Sequence, residues 1–191
     1  MTRLLTVLLT AATLFGCTGL AMADQEFNPI AQLFGFTPGS GGGAGPIPRT
    51  TVSFQGNYAP GTIIVDTKER RLYLVQEGGR ALRYGIGVGR DGFRWGGVHR
   101  ITAKKEWPSW TPPAQMLRRR PDLPRHMVGG PDNPLGARAM YLGSTLYRIH
   151  GSNEPETIGQ AVSSGCFRMV NDDVIDLYNR VQVGATVIVK N

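Results

Sequence analysis

The chain has few cysteines and histidines, and no long apolar run follows its first two dozen residues. Its 191 residues include 2 cysteines and 3 histidines. Two cysteines cannot build a multi-disulfide framework, and the histidines lack the spacing of metal ligands relative to other ligand-type side chains. No later segment has the length that a membrane-spanning helix needs. We therefore expect no metal, no cofactor and no transmembrane segment in the mature chain.

Residues 1–23 have the pattern of a signal peptide. Arg3 gives a positive start, residues 4–15 form a short apolar core, and residues 21–23 (AMA) are a small-residue cleavage pattern. We expect cleavage before Asp24 and export to the periplasm or the cell envelope.

Export leaves one cysteine without a partner in the chain, Cys166. An odd thiol in an exported protein pairs with another chain or is reactive, whereas a buried and inert thiol is the alternative. Cys166 follows a glycine and lies two positions before an arginine, in a polar stretch, which favours the prediction that its thiol is reactive. Residues 14–17 also loosely match a lipoprotein box, so lipidation at Cys17 is a competing prediction.

Glycine and proline divide the rest of the chain into a linker and one domain. Residues 37–48 are almost entirely Gly, Pro and Ser, which cannot bury apolar surface. We predict a flexible linker over 24–57 and a catalytic or binding domain over 58–191. The net charge of +7 indicates an anionic partner, and in an exported protein envelope polymers are favoured over nucleic acid.

The domain has the pattern of a mainly β sandwich or barrel with one or two short helices. Short β-branched or aromatic runs predict strands over Thr62–Asp66, Leu72–Gln76, Ala81–Val88, 98–105, Leu146–His150 and Ala185–Val189.

Two helices and one long loop complete this prediction. Asn171 offers an N-cap, and the apolar residues that follow recur at helical spacing up to Val181. A shorter helix is expected near Pro155. Residues 107–135 are rich in Pro and Trp, and loops of this length are often functional, so we predict a lid that covers the site and contacts substrate.

His150 is the best partner for Cys166. A cysteine attacks as its thiolate and therefore needs a base or an environment that lowers its pKa. His150 ends an apolar strand and precedes Gly151, so its side chain can point into a cleft. A histidine at a strand end is more often structural, and His99 and His126 are expected at the surface.

The two segments taken together are more specific than either residue. IHGSNEP (149–155) and SSGCFRM (163–169) separate His150 from Cys166 by 16 positions. This pattern resembles the catalytic signature of the L,D-transpeptidases, the YkuD-domain family of bacterial peptidoglycan enzymes. The resemblance covers residues 58–190 and implies an L,D-transpeptidase-like β fold. One departure is Ser164, where many members have histidine and others have serine.

The resemblance implies a role for each residue that matches the motif. Cys166 would be the nucleophile, His150 would accept and donate its proton, and the Gly151 carbonyl would orient the imidazole. The backbone amides of Ser164, Gly165 and Cys166 would form the oxyanion hole. Further positions would bind substrate or hold the site: Arg168, Ser163 and Asn171. An ion pair of Arg168 with Asp172 or Asp173, and helix capping by Asn171, are the structural alternatives.

The resemblance also implies the substrate class. Family members form a thioester with a peptidoglycan stem tetrapeptide, release D-Ala and pass the acyl group to an amine. That amine belongs to another stem peptide, giving a 3-3 cross-link, or to an envelope protein. Hydrolysis by an L,D-carboxypeptidase or amidase, and a non-catalytic wall-binding module, remain alternatives.

Overall fold

The structure, a computed structural model, describes residues 45–191. The predicted signal peptide (1–23), Cys17 and residues 24–44 of the predicted linker lie outside this range. The described elements, in chain order, are β1 (Thr50–Ser53), β2 (Ile63–Asp66), β3 (Arg71–Gln76), β4 (Arg80–Gly85), β5 (Val88–Gly89), β6 (Gly97–Glu106), α1 (Ala114–Arg119), β7 (Arg138–Leu142), β8 (Arg148–His150), a 3₁₀ turn (Pro155–Thr157), β9 (Ala161–Ser163), β10 (Phe167–Arg168), α2 (Asn171–Arg180) and β11 (Thr186–Lys190).

Nine of these strands form one sheet in the order β1-β4-β3-β2-β11-β6-β7-β8-β10. Neighbours are antiparallel except for β2 with β11 and β8 with β10, which are parallel. The chain leaving β4 crosses to the far edge, where Gly87 and Arg168 exchange two backbone hydrogen bonds of 2.9 Å. The sheet is therefore curled, and its two ends are joined around the core.

The core confirms the mainly β prediction. Alternating residues of β2, β3 and β4 point inward and are fully buried, among them Ile63, Leu72 and Tyr84. Helix α2 covers one side of this core with Val174 and Leu177, which are also fully buried. Sheet and helix thus fix the positions of the short strands β8 and β10 that carry the two motif segments.

The predicted linker extends too far at its C-terminal end. Residues 50–53 form β1, which pairs antiparallel with β4 in the register Thr50↔Arg83 to Ser53↔Arg80. A polar strand of four residues has little signal of its own, and its conformation comes from the backbone hydrogen bonds that β4 supplies.

Two predicted strands are shorter in the structure. The run Ala81–Val88 divides into β4 and β5, because Gly87 turns aside to pair with Arg168. The run Leu146–His150 is a strand only from Arg148, because Leu146 belongs to a turn. There Thr145 Oγ1 donates to Leu142 O at 2.6 Å.

The Pro-rich stretch 107–135 was predicted as a loop, but it contains secondary structure. It contains α1 and an isolated bridge between Trp110 and Met127. Residues 114–119 (AQMLRR) are good helix formers, and Pro113 precedes them at the N-cap position. Within residues 45–191, no helix has the length and apolarity needed to cross a membrane.

Candidate active site

Parallel pairing of β8 with β10 brings the two motif segments together. Phe167 lies opposite Ile149 and Arg168 opposite His150, and the Met169 amide donates to His150 O at 2.8 Å. Cys166 immediately precedes β10, whereas His150 ends β8. The side chains of both line one cavity of about 910 Å³.

His150 is buried and held in one tautomer. Only 4% of the residue is exposed, and Nδ1 lies 2.5 Å from Gly151 O. A carbonyl can only accept, so Nδ1 carries the hydrogen and Nε2 is left as a proton acceptor. Burial is the main reason that the pKa of His150 is lowered to about 3; the hydrogen bond to Gly151 opposes this change, and the charges of Arg168 and Arg148 add to it. The imidazole is therefore neutral at physiological pH.

The Cys166 thiol is half-buried and protonated in this arrangement. Sγ donates to Leu146 O at 3.9 Å, and no hydrogen bond between described residues joins it to the imidazole. Burial raises the pKa of Cys166, while the positive charge of Arg148, and then that of Arg168, opposes this rise. The resting pair is thus a neutral thiol and a neutral imidazole.

Ser163 ties together the loop that presents the thiol. Its hydroxyl donates to Cys166 O at 2.6 Å and accepts from the Gly165 amide at 3.1 Å. Of the three amides predicted for the oxyanion hole, that of Gly165 is therefore engaged within the loop. No hydrogen bond among the described residues occupies the amides of Ser164 and Cys166.

Two aromatic side chains that were not predicted from the sequence enclose Gly165. Its φ is +106°, and a Cβ at this position would overlap the ring of Tyr147. Tyr147 stacks on Trp95 with ring centroids 4.3 Å apart, and Trp95 Nε1 donates to Gly165 O at 2.6 Å. The pair fixes the backbone immediately before Cys166.

Arg168 and Asn171 have partners other than those expected. Arg168 Nη1 pairs with Glu154 Oε2 at 2.8 Å, so the proposed ion pair with Asp172 or Asp173 is wrong. Val170 is the N-cap of α2 and no side chain caps it, so the capping role of Asn171 is also wrong. Instead, Asn171 Oδ1 accepts from the Ala137 amide at 2.9 Å.

The motif residues divide into those that face the cavity and those that support it. Facing the cavity are His150, Ser163, Ser164, Cys166 and Arg168. Asn171 Oδ1 lies directly against Gly136 and Gly151, where a Cβ would overlap it. Asn171 thereby holds the backbone behind His150. Of the other histidines, His99 meets Trp95 edge-on and His126 bonds Thr111 Oγ1 at 3.1 Å, and neither lines the cavity.

The stretch 107–135 forms one wall of the same cavity. It contributes Trp110, Met116, Arg119 and further residues to the lining. Arg119 lies over the Phe93 ring at 5.0 Å, and Arg90 lies over the same ring at 4.7 Å. Phe93 precedes β6, so this contact joins the wall to the main sheet.

Comparison with known proteins agrees with this geometry. The family model for the L,D-transpeptidase catalytic domain (YkuD) matches residues 60–189, which include every residue of both motif segments. The chain belongs to the L,D-transpeptidase (YkuD) family. The family assignment thus covers the cavity, the thiol and the imidazole together.

One curated relative and two solved structures illustrate what the chain is similar to. The probable L,D-transpeptidase ErfK/SrfK of Escherichia coli is 39% identical over 134 residues, covering 65% of this chain and 42% of that protein. A structure from Brucella melitensis, described as a probable carnitine operon oxidoreductase, is 50% identical, with a TM-score of 0.50 over 72% of this chain and 89% of its own. A mutant of the Enterococcus faecium L,D-transpeptidase is 20% identical, with a TM-score of 0.56 over 69% of this chain and 50% of its own.

The chain spans less than half the length of the first of these curated relatives. The match therefore assigns the family and the fold of the domain over 60–189. The chemistry of the present cavity is argued from its own residues.

Proposed function

We propose that this chain is a peptidoglycan L,D-transpeptidase with Cys166 as nucleophile. One observation carries the proposal: an unpaired thiol and a buried imidazole with a free Nε2 line the same cavity in a domain of this family. No hydrogen bond among the described residues joins Sγ to the imidazole, and we propose that this contact forms when substrate binds. Hydrogen bonds of this kind are often looser before substrate is bound.

The first half-reaction forms a thioester. Nε2 of His150 takes the Sγ proton, and Sγ attacks the carbonyl carbon between the diamino acid of a stem tetrapeptide and its terminal D-Ala. The amides of Ser164 and Cys166 stabilise the oxyanion. His150 returns the proton to the leaving nitrogen as the C–N bond breaks and D-Ala departs.

The second half-reaction transfers the acyl group. An amine attacks the thioester carbon, gives its proton to His150 and releases the Cys166 sulfur. We propose a stem-peptide amine as acceptor, giving a 3-3 cross-link, with a lysine of an envelope protein as the second candidate. The predicted signal peptide supports export to the cell envelope, where both acceptors occur.

The cavity itself supports an anionic peptide as the substrate. Its lining includes two carboxylates, Asp132 and Glu154, against the guanidinium groups of five arginines: Arg90, Arg119, Arg120, Arg148 and Arg168. Stem peptides carry free carboxylates, so a positive cavity raises their local concentration. A protein that only bound the cell wall would not require a buried imidazole with a free Nε2.

The test is incubation of residues 24–191 with a purified disaccharide-tetrapeptide, read by mass spectrometry. Loss of D-Ala together with a cross-linked dimer is expected for the wild-type protein and is expected to disappear in Cys166→Ala. Adding a lysine-containing peptide shows whether a protein amine is also accepted. Tripeptide without dimer would assign a hydrolase, and an unmodified Cys166 with no turnover would contradict the enzymatic proposal.

A further inference from the structure

Arg148 lies beside the thiol but was not among the residues expected to act there. It is the first residue of β8, two positions before His150, and it lines the cavity with Cys166. Its Nη1 donates to Leu146 O at 3.2 Å, the same oxygen that accepts from Cys166 Sγ at 3.9 Å. The guanidinium and the thiol therefore converge on one carbonyl group.

The charge of Arg148 has no counter-ion. Among the described residues no carboxylate pairs with it, whereas Arg168 in the same cavity is paired with Glu154. The Nε atom of Arg148 is buried without a hydrogen-bond partner, and the guanidinium rests 5.2 Å from the centre of the Tyr141 ring. An unpaired, partly desolvated cation costs free energy, so its position indicates an anionic partner. The thiolate of Cys166 is such an anion, and it forms only during the reaction.

We propose that Arg148 is a positioning residue that acts through Cys166, because its guanidinium stabilises the thiolate that forms before attack. The inference rests on the proposed function of Cys166 as nucleophile. In this step the S–H bond breaks, an N–H bond forms at His150 Nε2, and the electron pair stays on sulfur. Arg148 keeps all its protons and moves Nη1 from Leu146 O towards Sγ.

The other charged groups around the cavity do not take this role. Arg168 is neutralised by Glu154, and the imidazole of His150 is uncharged. Arg120 of the 107–135 wall is paired with Asp122. Arg90 and Arg119 lie over the Phe93 ring, and the remaining charged lining group, Asp132, carries a negative charge.

The direction of the pKa shifts agrees with this assignment. At Cys166, after burial, the charge of Arg148 is the largest influence and lowers the pKa of the thiol. At His150, the charge of Arg168 lowers the pKa more than that of Arg148 does. Arg148 therefore acts mainly on the sulfur rather than on the base.

The test measures thiolate formation without any peptidoglycan substrate. The rate of Cys166 alkylation by iodoacetamide is recorded against pH in the wild type, Arg148→Gln and Arg148→Lys. We expect the apparent pKa of the thiol to rise by about one unit in Arg148→Gln, with an alkylation rate at pH 7 about tenfold lower. Arg148→Lys keeps the charge and is expected to stay close to the wild type.

Arg83→Gln is the matched control. Its Nε is also buried without a partner, but Arg83 lies on β4 and lines a different cavity. We expect its alkylation profile to be unchanged. Equal rates in Arg148→Gln and the wild type would overturn the proposal, and so would equally slow alkylation in Arg148→Gln and Arg148→Lys, because the charge would then be irrelevant.

If Arg148→Gln does not fold, a measurement on the wild type and Arg148→Lys still tests the proposal. Iodoacetate is anionic, so a local cation raises its rate relative to that of iodoacetamide. We expect this ratio to be higher at Cys166 than at N-acetylcysteine, and to remain high in Arg148→Lys. A ratio no higher than that of N-acetylcysteine would contradict the proposal. Because no stem peptide is involved, the outcome is independent of whether the protein forms cross-links.

Discussion

At the scale of single residues, the position of the thiol depends on a glycine as much as on the cysteine. Gly165 adopts a φ of +106° beneath the Tyr147 ring, and its carbonyl is fixed by the Trp95 indole. A side chain here meets two separate penalties, one from the backbone conformation and one from overlap with the ring.

Gly165→Ala is therefore expected to displace the loop that carries Cys166. We expect a loss of acylation of at least 10²-fold, comparable to the removal of an oxyanion donor, because the amides of Ser164 and Cys166 move with the loop. Gly184→Ala is the matched control, since Gly184 also has a positive φ (+94°) but nothing within 4 Å of its Cβ position. It is expected to lose about 1 kcal/mol of stability and no activity. Acylation and thermal unfolding measure the two effects, and equal activity of both variants would contradict this account.

The sequence predicted which residues meet but not what holds them. The motif that contains His150 and Cys166 identified the two side chains that share the cavity, because the residues of a short motif keep the same neighbours along the chain. Trp95 and Tyr147 are far apart in sequence, and their stacking depends on how β6 and β8 lie in the sheet. No local pattern of aromatic residues encodes such a contact.

At the scale of secondary-structure elements, the Phe93 ring contacts the wall formed by residues 107–135. Phe93 is contacted by the guanidinium groups of Arg90 and Arg119 at 4.7 and 5.0 Å. Such contacts contribute about 0.5–1 kcal/mol each at exposed sites. Arg119 belongs to α1, so this ring joins the helix to the turn before β6.

Phe93→Ala is expected to loosen the wall without unfolding the domain. Loss of about 1 kcal/mol raises the population of open states roughly fivefold, which increases hydrogen exchange over 107–135 and raises KM for the stem peptide. Phe54→Ala, in the aromatic group with Tyr58 and Tyr73 away from the cavity, is the control. Unchanged exchange over 107–135 in Phe93→Ala would refute the fastening role of the ring.

Elements with a strong local pattern were predictable and the others were not. Helix α2 was expected from Asn171 to Val181 and runs over Asn171–Arg180, since its apolar spacing is regular. Strand β1 was missed because Thr50–Ser53 is short and polar and gains its conformation from β4. Helix α1 was missed because the prolines on either side of it dominate the composition of the stretch 107–135.

At the scale of the whole molecule, a charged network fastens the segment before β1 to the helix that follows the site. Arg49 Nη1 lies 3.2 Å from Asp173 Oδ1 and 3.4 Å from Asp176 Oδ2, and the Tyr84 hydroxyl donates to Asp176 at 2.7 Å. Asp173 is 1% exposed, and burial raises its pKa to about 6 despite the charge of Arg49.

The raised pKa of Asp173 makes stability depend on pH in a defined direction. Between pH 3.8 and 6 the folded state binds the proton more tightly than the unfolded state, so this group lowers stability as pH rises through that window. The contribution is about 3 kcal/mol at 1.36 kcal/mol per unit. His150 acts oppositely, because its lowered pKa means that stability is lost as pH falls below 6.5.

Asp173→Asn removes the first contribution and leaves the second. We expect the free energy of unfolding of the wild type, measured relative to that of Asp173→Asn, to be about 2 kcal/mol smaller at pH 7 than at pH 4, because most of the pH window from 3.8 to 6 lies between these two values. Urea unfolding at several pH values measures this difference, and the contribution of His150 cancels because both proteins retain it. Asp172→Asn, on the exposed side of the same helical turn, is expected to show no such trend. A constant difference between wild type and Asp173→Asn across pH 4–7 would mean that the carboxyl is already ionised below pH 4 in the folded protein.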